Sequence, residues 1–188
     1  RIEKLDSQTH ENLLHDDAIF RIYRGKHQET ADGQGAVLFY EKKTMITGSQ
    51  EFLTAMGAEN IRPVKRQRGL WGRLFGKVVD EDELFSGEVA AGTPMCEEKD
   101  QIILQDQSAY ATVRNGQMQK EYNDGTETPT KTGQQTVGYA ELPDALGAGV
   151  YVIAEIKAPA GYVRCRPIAV EIYSDKVTYY QEGDMEQQ

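Results

Sequence analysis

Residues 150–156 carry apolar side chains on both faces of an extended strand. Two sets alternate along this segment: Val150, Val152, Ala154 and Ile156 on one face, and Tyr151, Ile153 and Glu155 on the other. A strand that is apolar on both faces has to be covered on both sides. The segment therefore predicts a central strand of a layered β protein, and we expect the middle of the chain to supply one of the covering layers.

Alternation with a period of two residues predicts further strands on either side of this segment. Residues 18–24 place Ala18, Phe20 and Ile22 on one face of a half-buried strand. Residues 167–173 and 176–180 predict a hairpin that turns at Ser174-Asp175. Its inward-facing residues are predicted to be Ile168, Val170, Ile172, Val177 and Tyr179.

The middle of the chain is less regular. Ser49 predicts the N-cap of a short helix over residues 50–56, whose apolar stripe is Phe52, Leu53 and Met56 and which ends at Gly57. Short strands are predicted at residues 101–104 and 110–113. Residues 122–135 are rich in Gly, Thr and Pro and predict a loop.

Composition narrows the classes of function. The 188 residues suit one main core, and 21 basic against 30 acidic residues give a net charge of −9, which disfavours nucleic acid and anionic membranes as partners. No apolar run approaches the roughly 20 residues of a membrane span, so no membrane insertion is predicted. Two cysteines exclude a disulfide scaffold. Because the chain opens on Arg1, we expect it to be a piece of a larger protein.

Two motifs support a resemblance to a known family. The first combines Gly149-x-Tyr151-x-Ile153-x-Glu155 with Ala158-Pro-x-Gly-Tyr162, and the second combines Lys4-Leu-Asp6 with the strand at residues 17–23. The first resembles the E-box of Cna-B-type domains, which are found in Gram-positive pilins and collagen adhesins. The second resembles the first two strands of that family.

The resemblance implies a mainly β fold, a Greek-key prealbumin-like β-sandwich. Residues 1–45 and 136–188 would form the sandwich. Residues 46–135 would be a large mixed insertion that carries one short helix and packs on or beside it.

Glu155 and Lys4 stand out on physical grounds as well. Glu155 shares a strand face with Tyr151 and Ile153, so its carboxyl is predicted to be buried and must be paired or kept protonated. Lys4 shares a face with Ile2 and is predicted to point inward. A lysine amine that loses its proton on burial becomes a nucleophile.

The resemblance implies roles for both residues in a self-formed intramolecular isopeptide bond. Lys4 would supply the amine, and Glu155 would polarise the acceptor carbonyl and shuttle protons. In the family, the acceptor is an Asn or Asp on the last strand. Asp175 and Asp184 are weak candidates here, and the alternative is an acceptor beyond Gln188. Such a bond forms once. The sequence has no Gly-x-Ser-x-Gly elbow, phosphate loop or His-Glu-x-x-His motif, so no turnover enzyme and no cofactor are predicted. A hydrolase domain of a secreted multidomain protein is the weaker alternative.

The predicted function is that of a structural and adhesive module of a bacterial cell-surface adhesin or pilin-like stalk. We expect it to be extracellular, anchored to the cell wall through other parts of the protein, with neighbouring domains as its partners. The alternative is a ligand-binding subdomain formed by the insertion. The observation behind it is the basic-aromatic cluster, defined as Lys65, Arg66, Arg68 and Trp71, which suits an anionic host glycan, the host matrix or lipid head groups.

Two further sets of residues invite simpler interpretations. His10, His15 and His27 lack the spacing of metal ligands, so no metal site is predicted. Cys96 and Cys165 could form a disulfide between the insertion and the sandwich in an oxidising compartment, or remain free. The sequence does not supply the distance that decides between these two states.

Overall fold

A computed structural model of the chain describes residues 1–11, 13, 16–29, 35–64, 84–104, 110–122, 131–140, 142, 146–173 and 177–180. These residues contain short and long strands around one helix. In chain order they are β1 (Ile2–Glu3), β2 (Ala18–Gly25), β3 (His27–Glu29), β4 (Gly35–Val37), β5 (Thr44–Gly48), α1 (Gln50–Ala55), β6 (Glu59–Pro63), β7 (Phe85–Val89), β8 (Cys96–Gln101), β9 (Ala111–Tyr122), β10 (Lys131–Ala140), β11 (Gly149–Lys157), β12 (Ile168–Ile172) and β13 (Val177–Tyr180).

The strands form three antiparallel sheets. The largest has the order β1-β10-β9-β2-β11-β12-β13, and β8 also pairs with β2. Along one edge of β2, residues 18–20 pair with β9 and residues 23–25 pair with β8. Strands β5, β7 and β6 form a second sheet, and β3 and β4 form a two-stranded ribbon. The chain is therefore mainly β, as predicted.

Two hydrophobic clusters lie on opposite faces of β2 and β11. The first contains Tyr23, Val152 and Ala154, together with buried residues of α1. The second contains Ala18 and Phe20, with Ile153 packed against them. The prediction that this central strand is covered on both faces is confirmed, and α1 supplies part of the cover.

The short helix begins where the sequence predicts. Ser49 is the N-cap of α1, and its Oγ accepts a hydrogen bond of 3.1 Å from the Phe52 backbone N–H. The Ser49 backbone N–H donates to Glu98 Oε2 at 2.9 Å, and the Ser49 hydroxyl donates to Glu98 Oε1. Gly57 follows the helix with a φ of 69°, a conformation that glycine adopts at low cost. The cap thereby joins α1 to β8.

Replacing Ser49 with alanine should lower the free energy of unfolding by about 1 kcal/mol, since an N–H of the first turn loses its acceptor. Urea denaturation of the wild type and the variant measures the difference. Ser7→Ala is the control, because Ser7 is exposed in the opening turn. Equal effects of the two substitutions would contradict a capping role for Ser49.

The final hairpin differs from its prediction in which residues face inward. Strands β12 and β13 pair as expected, and Val170 is buried. Val177 and Tyr179, however, are 48% and 62% exposed, so their predicted inward positions are wrong. They lie on β13, the last strand of its sheet, where no further strand of the described chain covers them.

The predicted division of the chain at residues 45 and 136 stays a prediction. Strands β8 and β9 lie within 46–135, and both pair directly with β2. Residues of this interval therefore contribute to the largest sheet as well as to α1 and the three-stranded sheet.

Candidate functional site

Lys4 and Glu155 form an ion pair between two distant parts of the chain. Lys4 Nζ lies 2.8 Å from Glu155 Oε2 and donates a hydrogen bond to it. The Glu155 side chain has no solvent exposure, and that of Lys4 is 12% exposed. The structure thus brings together the two residues that the sequence singled out, in the buried setting that was predicted for the carboxyl.

Strand pairing places both residues. Glu155 lies near the end of β11, opposite Phe20 of β2, and a register shift follows between Glu155 and Lys157. Lys4 follows β1, whose Ile2 pairs with Ala140 of β10. The Lys4 carbonyl accepts a hydrogen bond of 3.0 Å from the Leu13 backbone N–H, which holds the chain after β1.

The two carboxylate oxygens of Glu155 differ in their hydrogen-bond partners. Oε2 accepts from Lys4 Nζ and also from the Cys165 backbone N–H, at 2.7 Å. Oε1 is buried and has no hydrogen-bond partner among the described residues. An unpaired buried acceptor costs free energy, and it is also a place where a proton or a further donor can bind. The pair therefore fixes the position of the Lys4 amine, and Glu155 keeps one oxygen that could accept a further hydrogen bond.

Two hydrogen bonds join the turn after β11 to the start of the chain. The Tyr162 hydroxyl donates to Asp6 Oδ2 at 2.9 Å, and the Ala160 backbone N–H donates to Asp16 Oδ2 at 3.0 Å. Backbone N–H groups of the opening turn, first that of Thr9 and then that of Gln8, lower the pKa of Asp6. The turn after β11 is thus attached to the turn after β1.

The two cysteines are free and lie in different hydrophobic clusters. Cys96 is buried, and its thiol contacts the Met56 sulfur at 3.6 Å. Burial raises its pKa to about 12. Cys165 packs against the cluster that contains Ala18 and Phe20. Of the two states left open by the sequence, the structure has the free thiols.

Several predicted site residues lie outside the described residues. They are the acceptor candidates Asp175 and Asp184 and the basic-aromatic cluster of Lys65, Arg66, Arg68 and Trp71. His15, for which no site is predicted, also lies outside the described residues. His10 and His27 are exposed. Within the described ranges, no group of three or more His, Cys, Asp or Glu side chains could hold a metal ion. No helix there has both the length and the apolar character needed to cross a bilayer.

Binding of an anionic glycan by the basic-aromatic cluster stays a prediction, and heparin chromatography tests it. If it binds an anionic glycan, replacing Lys65, Arg66 and Arg68 with alanine should lower the salt concentration that elutes the protein from a heparin column, because fewer cations contact the sulfates. The control replaces Lys42, Lys99 and Lys157, three exposed lysines elsewhere, and changes the net charge equally. Elution of both variants at the same salt concentration would contradict the prediction that the cluster binds the glycan.

The sequence interpretation missed a second buried carboxylate. Glu171 on β12 is buried and accepts hydrogen bonds from the hydroxyls of Tyr173 and Tyr180, the latter at 2.8 Å. Burial first, and then the hydrogen bond to Glu171, raises the pKa of Tyr180 to about 12. The sequence of β12 could have indicated this, because Ala169 and Glu171 alternate onto the same face of the strand and an apolar Ala169 favours burial of that face.

The buried side chain of Tyr23 should make the folded state less stable at alkaline pH. Burial raises the pKa of Tyr23 from 10.0 to about 12, so its contribution is complete below pH 10 and is lost as the pH rises through 12. Tyr23→Phe should make the free energy of unfolding fall less steeply above pH 10, as measured by urea denaturation at a series of pH values. Tyr179→Phe, at an exposed position, is the control. An unchanged slope in Tyr23→Phe would contradict this prediction.

Comparison with known proteins does not identify a relative. No protein-family model, no curated protein and no solved structure matches the chain.

Proposed function

We propose that the chain is a non-enzymatic structural module of a bacterial cell-surface adhesin or pilin-like stalk, with a Greek-key β-sandwich of the Cna-B type. Lys4 and Glu155 would be two members of a self-formed isopeptide cross-link. The role of the module would be to space and stiffen the protein that contains it, with neighbouring domains as partners. The observation that carries the proposal is the buried contact of 2.8 Å between Lys4 Nζ and Glu155 Oε2.

The contact supports the proposal because burying two charged groups is unfavourable in free energy. An amine and a carboxylate taken out of water lose much of their hydration free energy, and an ion pair seldom repays that loss in full. Glu155 also keeps one oxygen without a partner in the described part of the chain. A pair retained only for stability gains nothing from that free oxygen, whereas a proton shuttle uses it.

The position of β1 also supports the proposal. Among the described strands, β1 pairs with β10 alone and ends the sheet order. A further strand could therefore add beside Lys4, where the family resemblance places the acceptor. The acceptor would be an Asn or Asp beyond Gln188, with Asp175 and Asp184 as the weaker candidates.

A bond between Lys4 and an acceptor near the end of the chain would close a loop of most of the module. By analogy with a disulfide, closing a loop of more than 100 residues stabilises the folded state by about 5 kcal/mol. Under stretching, the closed loop would not extend. The reaction occurs once per molecule, which is why no enzymatic turnover is proposed.

Intact mass spectrometry of the protein, including a form that extends past Gln188, tests the proposal. Formation of the bond removes one ammonia if the acceptor is Asn, or one water if it is Asp. We expect that loss in the wild type and its absence in Lys4→Arg and Glu155→Gln. An unmodified mass in the extended wild-type protein would rule out the cross-link.

A further inference from the structure

A third reactive group lies at the Lys4–Glu155 pair. The Cys165 backbone N–H donates to Glu155 Oε2 at 2.7 Å, and this is the same oxygen that Lys4 Nζ contacts at 2.8 Å. The shared oxygen places Cys165 beside both side chains. An amine, a carboxyl and a thiol therefore share one partly buried place.

Cys165 is the more accessible of the two free thiols, because it is only partly buried. Burial first, and then the charge of Glu155, raises its pKa to about 11, while the charge of Lys4 acts in the opposite direction. Cys96 is only 6% exposed, and its pKa is about 12. Oxidation proceeds through the thiolate and requires access to the oxidant. A small oxidant should therefore reach and oxidise Cys165 before Cys96.

The unpartnered oxygen of Glu155 points to covalent chemistry at this place. Glu155 has no solvent exposure, and its Oε1 has no hydrogen-bond donor within the described residues. When an amine attacks an electrophile it must release a proton. A buried carboxylate that already holds the amine through its other oxygen can receive that proton.

We propose that Lys4 and Cys165 form a reversible sulfenamide cross-link when hydrogen peroxide oxidises the thiol. First, the Cys165 sulfur attacks the peroxide: an S–O bond forms, the O–O bond breaks, and one water leaves. Glu155 then takes a proton from the Lys4 ammonium, and the freed lone pair of Nζ attacks the sulfur of the sulfenic acid. The N–S bond forms, the S–O bond breaks, and the hydroxyl leaves as a second water with a proton passed on by Glu155.

The net reaction removes two hydrogen atoms from the protein and reduces one hydrogen peroxide to two waters. A reducing thiol reverses it by attacking the sulfur and releasing the amine. This inference does not rest on the proposed function, and the two cross-links compete because each consumes the Lys4 amine. Either one would tie the opening strand to the chain that surrounds β11, but only the sulfenamide responds to redox conditions.

The test treats the purified chain with hydrogen peroxide and follows its intact mass. We expect the mass to fall by two hydrogen atoms and to recover in dithiothreitol, and proteolytic mapping to yield one peptide pair joined through Lys4 and Cys165. The reaction should be faster at pH 9 than at pH 7. The reason is that the thiolate fraction, far below the pKa, rises by about tenfold for each pH unit.

Three variants separate this cross-link from other oxidation products. A disulfide between Cys96 and Cys165 would also remove two hydrogen atoms, so Cys96→Ala must keep the mass change. Lys4→Arg and Cys165→Ser must lose it. If Lys4→Arg does not fold, the joined peptide pair from the wild type decides the matter alone.

Four results would overturn the inference. They are a mass change that survives in Lys4→Arg, one that disappears in Cys96→Ala, oxidation of Cys165 to sulfinic acid without a joined peptide, and an untreated protein that has already lost one ammonia or water in forming an amide bond at Lys4. The last result would support the proposed isopeptide bond instead, so the two proposals fail separately.

Discussion

Replacing Lys4 with methionine should lower the free energy of unfolding by about 3–5 kcal/mol, because the buried carboxylate of Glu155 then has no cation beside it. Methionine keeps most of the volume and the apolar stem of lysine, so the loss reports the missing charge and not a cavity. Urea denaturation at neutral pH measures it. The Cys165 N–H would remain as a donor to Glu155, and it does not replace a full charge.

Lys157→Met is the matched control for this prediction. Lys157 lies just beyond Glu155 on the same strand, but its side chain is 53% exposed and its Nζ lies 3.8 Å from Asp16. An exposed pair of this kind contributes about 0–1 kcal/mol. If Lys4→Met and Lys157→Met cost the same, the Lys4 amine is solvated and the buried pair does not exist.

Phe52→Ala should destabilise the protein by about 3–5 kcal/mol, for reasons of packing. Phe52 is buried in α1, and its ring meets that of Tyr23 edge-on, with 5.4 Å between the ring centroids. This contact joins the helix to β2 of the largest sheet. The substitution leaves a cavity at the junction and removes an aromatic pair.

Thermal and urea unfolding of Phe52→Ala measure this loss, with Gln50→Ala as the control. Gln50 is exposed at the start of the same helix, and alanine is a better helix former, so that substitution should change stability by a few tenths of a kcal/mol at most. A loss below about 1 kcal/mol in Phe52→Ala would contradict α1 as the cover of the central strand.

The sequence predicted those elements whose hydrophobic pattern repeats with a clear period. The two apolar faces of β11 indicated a strand with layers on both sides, and both layers are present. Ser49 and Gly57 bounded α1 by their cap chemistry. In both cases the prediction depends on neighbouring residues alone, because the residue types at those positions favour that local structure for a known physical reason.

The long hairpin of β9 and β10 was missed because its sequence lacks that period. Residues 122–135 predicted a loop, yet β9 continues to Tyr122 and β10 begins at Lys131. Between residues 114 and 138 the strands are rich in Gln, Lys, Thr and Gly. Backbone pairing between the two strands holds this hairpin, and backbone pairing leaves no hydrophobic pattern in a sequence.

The candidate site was predictable in part. Alternation placed Glu155 on a buried face, and the family resemblance placed Lys4 beside it. The N–H of Cys165 could not be predicted, because every residue but proline carries the same backbone donor and only the fold selects one. The register of β12 and β13 is the one that the predicted turn at Ser174-Asp175 implies, since Ile172 pairs with Val177. Glu171 was missed because alternation placed Val170 and Ile172 inward and therefore Glu171 outward, whereas both faces of β12 carry buried residues.

A double-mutant cycle over Lys4 and Glu155 tests the central claim most directly, namely that this buried pair ties the opening strand to β11. The four proteins are the wild type, Lys4→Met, Glu155→Gln and the double variant, each unfolded in urea at neutral pH. We predict a coupling energy above about 1 kcal/mol, with the double variant more stable than the sum of the single losses implies. Strict additivity of the two losses would contradict the claim.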